Sequence, residues 1–600
     1  MGNGLVFGGI TLTVSSSLDL IESGAIMLPE LQRPFVWKDK QVIDLLDSMY
    51  KGFPIGTFLF WKNPFAANSG STPLGHIGGI VVKQSNPDYL VIDGQQRLTS
   101  LYAIFHNKEV IDKEYKKRDI RISFCPTTGE FKVQDAATAN SLEWIVDLSE
   151  TIVGSKGAYQ VAKEHLVKLK VKRDVPEAEE GIIHDNIQRL FNILKYPFDP
   201  IVVIDANVPE SVVGELFVRV NDGGTKLREA DFLLTLMSAQ WENGRRRLED
   251  FCRKAHNPGQ PGYNEFIRPS PDQLLRTVVA VGLGRAKLES VYKMMLRGQN
   301  KDDGEEQVRI GELNSKLDHG LDLVTKLDNW TNFFTAIKKA GFIGHRLISS
   351  DNNILFSYAF YLIGLDRFGM KHEELQDCIA PWFFMSALTQ RYSSSFETTT
   401  EKDLGQLWSL AKDGFRDWMH SEVFSELTED FWTTKLPSDL NTSSTQSPAF
   451  LAYTAALVVL DAPVLLSTAS SAKVSSLLMP AVIGGKSVLN VHHLFPRNYL
   501  ANMGIEDLKQ VNSVANLTYV EWTRNIDVSD LAPLEYYPAA IEGLRVKSGF
   551  SESYIDEVSC VHALPRNWWE LPYEEFLPAR RQLMARVIRD GFKKVVQGLT

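Results

Sequence analysis

The chain is poor in cysteine, with four in 600 residues. Cys125, Cys252, Cys378 and Cys560 stand far apart and form no CxxC pair. That excludes a cysteine zinc knuckle and a disulfide framework as organising devices. Free, mostly buried thiols in a reducing compartment are the expectation. Positive charge is not in excess either: the net charge is −10. A continuous basic coat for nucleic acid is thereby excluded, but a local basic groove is not. Residues 471–600 are balanced, with 14 Lys+Arg against 14 Asp+Glu. No apolar run is long enough to cross a bilayer. The most apolar, Phe450 to Leu466, is broken by Asp461 and Pro463 and reads as a buried helix. Residues Met1 to Val6 lack the basic start and apolar core of a signal peptide. They also lack the Ser or Thr at position six that myristoylation needs. A cytoplasmic location, with no membrane, is expected. A Walker A run is missing as well, which excludes a P-loop.

What is present describes a folded chain: 44% hydrophobic and 23% charged residues, with twelve Trp. Such a length exceeds one core, and the prior is about three to five domains of roughly 100–200 residues. The expected class is α+β and multidomain. Val42, Leu45, Leu46 and Met49 share one helical face over 39–50. Ile55 to Trp61 reads as a strand, and 64–79, rich in Pro, Gly, Ser and Asn, as a loop. Tyr89-Leu90-Val91-Ile92 is a short buried strand, turned by Asp93-Gly94 into a helix over Leu98 to Phe105. Residues 110–200 look like an elaboration with a strand near Ile120–Phe124, and Ile201-Val202-Val203-Ile204 is again a buried strand. Helices are expected from Pro209 to about Val220 and from about Arg228 to Trp241, separated by Asn221-Asp222-Gly223-Gly224. From 241 to about 470 the pattern is nearly all helical, as over 353–368 and 403–419, with Pro437 to Ser447 as a surface loop. The expected domains are 1–240, 241–470 and 471–600.

The densest chemistry lies near the C-terminus, in Val491-His492-His493-Leu494-Phe495-Pro496, then Asn516-Leu517-Thr518 and Asn525. Adjacent side chains of a strand face opposite ways, so both imidazoles reach one site only if the strand ends or bends there. Pro496 assists, because it cannot continue a ladder. A second strand over Leu517–Val520 and a helix carrying Asn525 give a ββα arrangement. Cutting a phosphodiester with one metal ion requires a neutral His as general base, and an unperturbed imidazole, with a pKa near ~6.5, is largely neutral at neutral pH. His493 is the candidate base, and His492 and Asn525 are the candidate metal ligands. Asn516 is the group that holds the loop or the base's ring. The N/O set suits Mg²⁺ or Mn²⁺, and the imidazole also admits Zn²⁺, Co²⁺ or Ni²⁺. The bland alternative is one His capping a strand and the other packed in a core.

The run Asn490 to Leu500, with Asn512-Ser513-Val514-Ala515-Asn516-Leu517-Thr518 and Thr523-Arg524-Asn525, resembles the HNH (ββα-metal) nuclease domain. In particular it is similar to the form at the C-terminus of Gmr-type, modification-dependent (type IV) restriction enzymes. The resemblance implies His493 as base, His492 and Asn525 as metal ligands and Asn516 as the middle Asn. Many HNH sites carry Asp where this chain has His492, a departure that bears on metal preference.

At the other end, Gln32-Arg33-Pro34 and Asp93-Gly94-Gln95-Gln96-Arg97 bring amides and guanidinium groups to a helix N-terminus, which presents free N–H groups to an anion. Arg33 and Arg97 can take phosphate oxygens bidentately, and Asp93 can hold a metal ion or a ribose. The bland alternative is an Arg–Asp pair beside a glycine turn. The ordered set QRPFVW, IDGQQRLTSL and FVRVNDGGTKL resembles the N-terminal domain of the same Gmr-type family. That likeness implies a ParB-like fold that binds and hydrolyses a nucleoside triphosphate. By it Asp93, Gly94, Gln95, Gln96 and Arg97 contact nucleotide, Gln32 and Arg33 flank it, and Arg219 and Asn221 are weaker candidates. Both ends of the chain are covered well by the resemblance, and the helical middle poorly.

The expected activity is therefore a nucleotide-regulated, metal-dependent endonuclease, with nucleoside triphosphatase activity, that cuts modified phage DNA. Its expected partners are double-stranded modified DNA and a nucleoside triphosphate, with a homodimer left open. Two other classes stay in view: a nucleotide-dependent DNA-binding regulator with an inactive HNH site, and an RNase acting as an abortive-infection toxin. Arg245-Arg246-Arg247 with Arg253-Lys254, and Arg580, Arg581, Arg586, Arg589, Lys593 and Lys594, can contact phosphates but read more simply as solvated helix faces. Trp568-Trp569 and Trp241 read as core.

Overall fold

The computed structural model describes residues 7–27, 35–63, 87–112, 115–208, 212–213, 216, 241–288, 291, 303–393, 396–478, 489–521 and 531–597. They form a mixed α+β protein, mostly helical with small sheets. The chain divides into two compact units, Met1–Arg247 with Tyr292–Ile310, and Leu248–Val291 with Gly311–Thr600. The boundary expected near 470 falls inside the second unit.

The first unit is built on strands β1 (Phe7–Thr13), β2 (Ile26–Met27), β3 (Phe58–Lys62) and β4 (Tyr89–Asp93), with two short hairpins and a long ninth strand. The hairpins pair β5 (Val110–Ile111) with β6 (Lys117–Arg118) and β7 (Ile122–Cys125) with β8 (Glu130–Val133). With β9 (Pro197–Ile204), the main sheet runs β1-β9-β3-β4-β2. β9 pairs antiparallel with β1 and parallel with β3, and β4 pairs antiparallel with β3 and parallel with β2.

Strands β3, β4 and β9 read as continuous apolar runs because the sheet is covered on both faces. Phe58, Phe60, Val91, Ile201 and Val203 point into the main core, with the helices Val14–Ser23, Asp39–Tyr50 and Gln95–His106. The alternate residues Leu59, Trp61, Leu90, Ile92 and Ile204 point the other way, onto Val208 and Val213. This is period-2 alternation with both halves buried. The insertion between Asn107 and Tyr196 contributes the hairpins and the helices Ala158–Lys172 and Glu177–Asn192, whose Leu166, Leu169, Ile183 and Ile187 join the main core.

Among its described residues the second unit is mostly helical, with one two-stranded ladder, β10 (Leu489–His493) with β11 (Leu517–Glu521). Helix Pro448–Val459 packs against helix Tyr573–Val596. Gly591 permits the close crossing: a Cβ there would lie 2.6 Å from the Cβ of Ala456. The Thr454 hydroxyl bonds the Tyr519 hydroxyl at 2.8 Å, so β11 is fastened to the same helix.

Sequence and structure differ in three places here. The helical pattern over 403–419 is two helices, Phe396–Ser409 and Phe415–Glu426, because Gly414 caps the second. Pro437 is buried in the helical turn Leu436–Asp439 and is not part of a surface loop. The apolar helix stops at Val459, just before Asp461, which holds positive φ, and Pro463. No helix among the described residues is long and apolar enough to cross a membrane.

Candidate functional site

In the C-terminal hairpin His492 stands opposite Thr518 and His493 opposite Leu517. The ladder is extended one bond further by the Leu494 N–H, which donates to the Asn516 carbonyl at 2.8 Å. There it ends, and Pro496 leads into the helix Arg497–Asn502. Both imidazoles are half-buried.

Asn516 is fully buried, and its amide is engaged three times. Its Oδ1 accepts from the Phe495 N–H at 2.8 Å, and its Nδ2 donates to the carbonyls of Phe495 at 3.1 Å and Val511 at 3.0 Å. A peptide-like group thus reads both backbone groups of Phe495, as a strand would. The Tyr536 hydroxyl donates to the Leu494 carbonyl at 2.6 Å. Leu494 and Phe495 are packed into a core with Val511, Tyr536, Trp568 and Phe576. The turn that follows the two histidines is therefore held by backbone-directed bonds and by apolar burial.

The ring of His493 is held elsewhere: its Nε2 lies 3.0 Å from Oδ1 of Asn512. Of the two roles open to Asn516, loop and ring, it performs the first. Asn512 is the residue that sequence reasoning passed over, although it stands in the same motif four places earlier. The signal was the polar pair Asn512-Ser513 set between the apolar residues Val511 and Val514-Ala515.

Behind β11, the Thr518 hydroxyl lies 3.4 Å from Nδ1 of His562, whose Nε2 donates to the Pro463 carbonyl at 2.7 Å. Burial pushes the His562 pKa down to about 4, so this ring is neutral. Arg580 is neither solvated nor open to phosphate. It is completely buried and donates to the carbonyls of Ala515 at 2.8 Å and His562 at 3.3 Å. Burial lowers its pKa, against the stabilising effect of Tyr453. Arg589 is clamped on Glu429, and Lys593 on Asp590. Trp568 and Trp241 are core, as expected. Asn525 lies outside the described residues. Among those described, no three His, Cys, Asp or Glu side chains group as a metal site.

At the N-terminal constellation β4 ends on Asp93, and Gly94, at φ 98°, starts the helix Gln95–His106. Only glycine fits: a Cβ would lie 2.3 Å from the Phe58 ring. Gln96 Oε1 accepts from the Val36 N–H at 2.9 Å, which ties the end of the QRPFVW segment to this helix. Phe35 is also fastened, through its N–H to the Ile111 carbonyl at 2.9 Å.

Arg97 turns back onto the protein. Its Nη1 donates to the Ile55 carbonyl at 2.6 Å, and its Nη2 to the Thr57 carbonyl at 2.8 Å and to Asp93 Oδ2 at 2.9 Å. The guanidinium lies 4.4 Å from the centre of the Phe58 ring. Burial lowers its pKa, and Asp93 opposes that shift. Three of its five N–H donors are thus occupied by the corner itself. Gln32, Arg33, Arg219 and Asn221 lie outside the described residues.

Residues 14–238 match the family model of the GmrSD restriction endonuclease, N-terminal domain. The matched stretch includes the β4 corner. Over 587 residues the chain is also 23% identical to an uncharacterized protein, MJ0686, of Methanocaldococcus jannaschii, covering 89% of this chain and 88% of that one.

Proposed function

We propose that this chain is a restriction endonuclease acting on modified phage DNA. A C-terminal ββα-metal (HNH) site would cut, under control of an N-terminal ParB-like domain that binds and hydrolyses a nucleoside triphosphate. The restriction-enzyme part rests on the family match over 14–238. The cutting site rests on one geometric observation: the hairpin that ends in His492-His493 has its turn locked by the buried amide of Asn516.

In this reading His493 takes a proton from the attacking water, and the rigid turn keeps its ring in place. His492 and Asn525 would hold a divalent ion. An imidazole and an amide oxygen are few protein ligands, which leaves positions for water and phosphate oxygens, as Mg²⁺ or Mn²⁺ favours. Such an ion, when bound, supplies polarisation of a non-bridging phosphate oxygen and stabilises the leaving 3′ oxygen. Asn516 works by fixing the backbone of Phe495 and touches no reacting atom.

At the other constellation, Asp93, Gly94, Gln95 and Gln96 would meet the nucleotide at the helix start, with Gln32 and Arg33 beside it and Arg219 and Asn221 as weaker neighbours. Three of the five Arg97 N–H donors are held by Ile55, Thr57 and Asp93, and the two that remain would meet a phosphate. A phosphate that drew further donors from the Ile55 and Thr57 carbonyls would couple nucleotide binding to movement of the 55–57 segment.

The test is cleavage of unmodified, hydroxymethylated, glucosylated and phosphorothioated DNAs, and of RNA, with and without triphosphate and Mg²⁺. Metal-dependent cutting of a modified DNA, with unmodified DNA spared and the rate changed by triphosphate, is the expected result. Cutting of RNA alone would make the protein an RNase. Nucleotide-dependent DNA binding with no cutting of any substrate would make it a regulator.

A further inference from the structure

Asn516 cannot orient the candidate base. Both its Nδ2 hydrogens are taken by the carbonyls of Phe495 and Val511, and its Oδ1 receives the Phe495 N–H. The ring of His493 meets Asn512, with Nε2 and Oδ1 3.0 Å apart.

Asn512 is itself well fixed. It follows the short helix Leu508–Val511, which Asp507 caps through the Lys509 N–H. Its own N–H donates to the Leu508 carbonyl at 3.0 Å. The two residues before it are pinned from outside. Tyr573 donates to the Gln510 carbonyl at 2.7 Å, and Asn516 donates to that of Val511. Val511 is buried. This is a prepared acceptor on a short rigid segment, not a chance surface contact.

We propose that Asn512 is a positioning residue for His493, resting on the nuclease reading above: its carbonyl oxygen takes the Nε2–H and leaves Nδ1 as the nitrogen that accepts the proton from water. An amide oxygen only accepts, so the bond selects one tautomer and one ring rotation together. Asn512 itself touches neither water nor phosphate.

The roles of the two asparagines separate under substitution. Asn512→Asp keeps the acceptor and is expected to retain turnover within about fivefold. Asn512→Leu keeps the shape and loses the acceptor. Its kcat is expected to fall about 10–100-fold, the usual loss when a group that orients a reacting side chain is removed, with KM for DNA unchanged. Equal thermal midpoints confirm that both variants fold. A second measurement needs no turnover: ring ¹⁵N shifts of His493 in the metal-free protein at one fixed pH, assigned by their loss in His493→Gln. They are expected to show the Nε2–H tautomer in the wild type and a mixture in Asn512→Leu.

If Asp and Leu impair cleavage equally, or neither does, Asn512 does not act by accepting, and the proposal is overturned. An Nδ1–H tautomer in the wild type overturns it as well. If the wild type cuts no nucleic acid yet shows the Nε2–H tautomer and its loss in Asn512→Leu, the positioning stands and the nuclease reading falls.

Discussion

The two motif-bearing corners treat their polar side chains in opposite ways. At the β4 corner the cation itself is tied down: Arg97 holds the Ile55 and Thr57 carbonyls and the Asp93 carboxylate. At the end of β10 a neutral amide, Asn516, carries the structural bonds, and the imidazole of His493 has one nitrogen in a single side-chain contact. One corner has most of its cation's donors committed, whereas the other leaves most of its imidazole's contacts to the ring's single side-chain partner. A rigid turn built from neutral groups leaves the titratable ones for chemistry.

The sharpest test of this contrast is His493→Ala. Metal-dependent cleavage is expected to fall by about 10²–10⁴-fold, the range for loss of a general base. Triphosphate hydrolysis and the thermal midpoint should be unchanged. Persistent metal-dependent cutting would remove His493 from the base role.

Asn516→Ala should behave differently, because it leaves the Phe495 N–H and two carbonyls unpaired inside the protein. A loss of about 2–4 kcal/mol is expected, with stability and cleavage falling together. Asn516→Asp should not rescue, since a carboxylate would face the Phe495 and Val511 carbonyls. A stable, inactive Asn516→Ala protein would contradict the division of labour between the two asparagines.

Arg97→Ala removes one fork from three acceptors and should cost about 1–3 kcal/mol in the first unit. It should also change both triphosphate hydrolysis and cleavage. Arg97→Lys is not expected to restore them, because an ammonium cannot span the same acceptors. If neither activity changes, the coupling of nucleotide to cleavage is lost as an idea.

Mild acid gives the smallest effect. His165 in the first unit and His562 in the second are held neutral by burial, each with a pKa pushed down to about 4. Unfolded, each ring would bind its proton nearer the ordinary imidazole value of 6.5. The stabilisation is therefore complete above that value and drains as pH falls from there toward the folded value. About 1 kcal/mol per ring is expected to be gone by roughly pH 5.5. Unfolding curves of His562→Gln and His165→Gln should each lose part of that slope. Unchanged slopes would place the acid sensitivity elsewhere.

Much of the first unit was legible in the chain. Ile55 to Trp61 read as a strand, which the structure starts at Phe58, and Tyr89 to Ile92 and Ile201 to Ile204 read as buried strands because each is apolar on both alternating faces. Asp93-Gly94 read as a turn because glycine takes positive φ without strain and aspartate favours turn geometry. In the second unit the strand Leu517–Glu521 came out within a residue of expectation. The fates of the polar groups were less legible. Arg580 looks like one more charge on a basic helix, yet it is sealed against Ala515 and His562. Pro437 looks like a loop residue, yet it is buried in a helical turn.

By itself, the order of residues determined where apolar runs become strands and helices and which short segments carry chemistry, since both depend on neighbours within a few positions. Only the tertiary structure decided which donors remain available, because their partners lie far along the chain. Phe495 occupies Asn516, Ile55 and Thr57 occupy Arg97, and Asn512 meets His493 across nineteen positions.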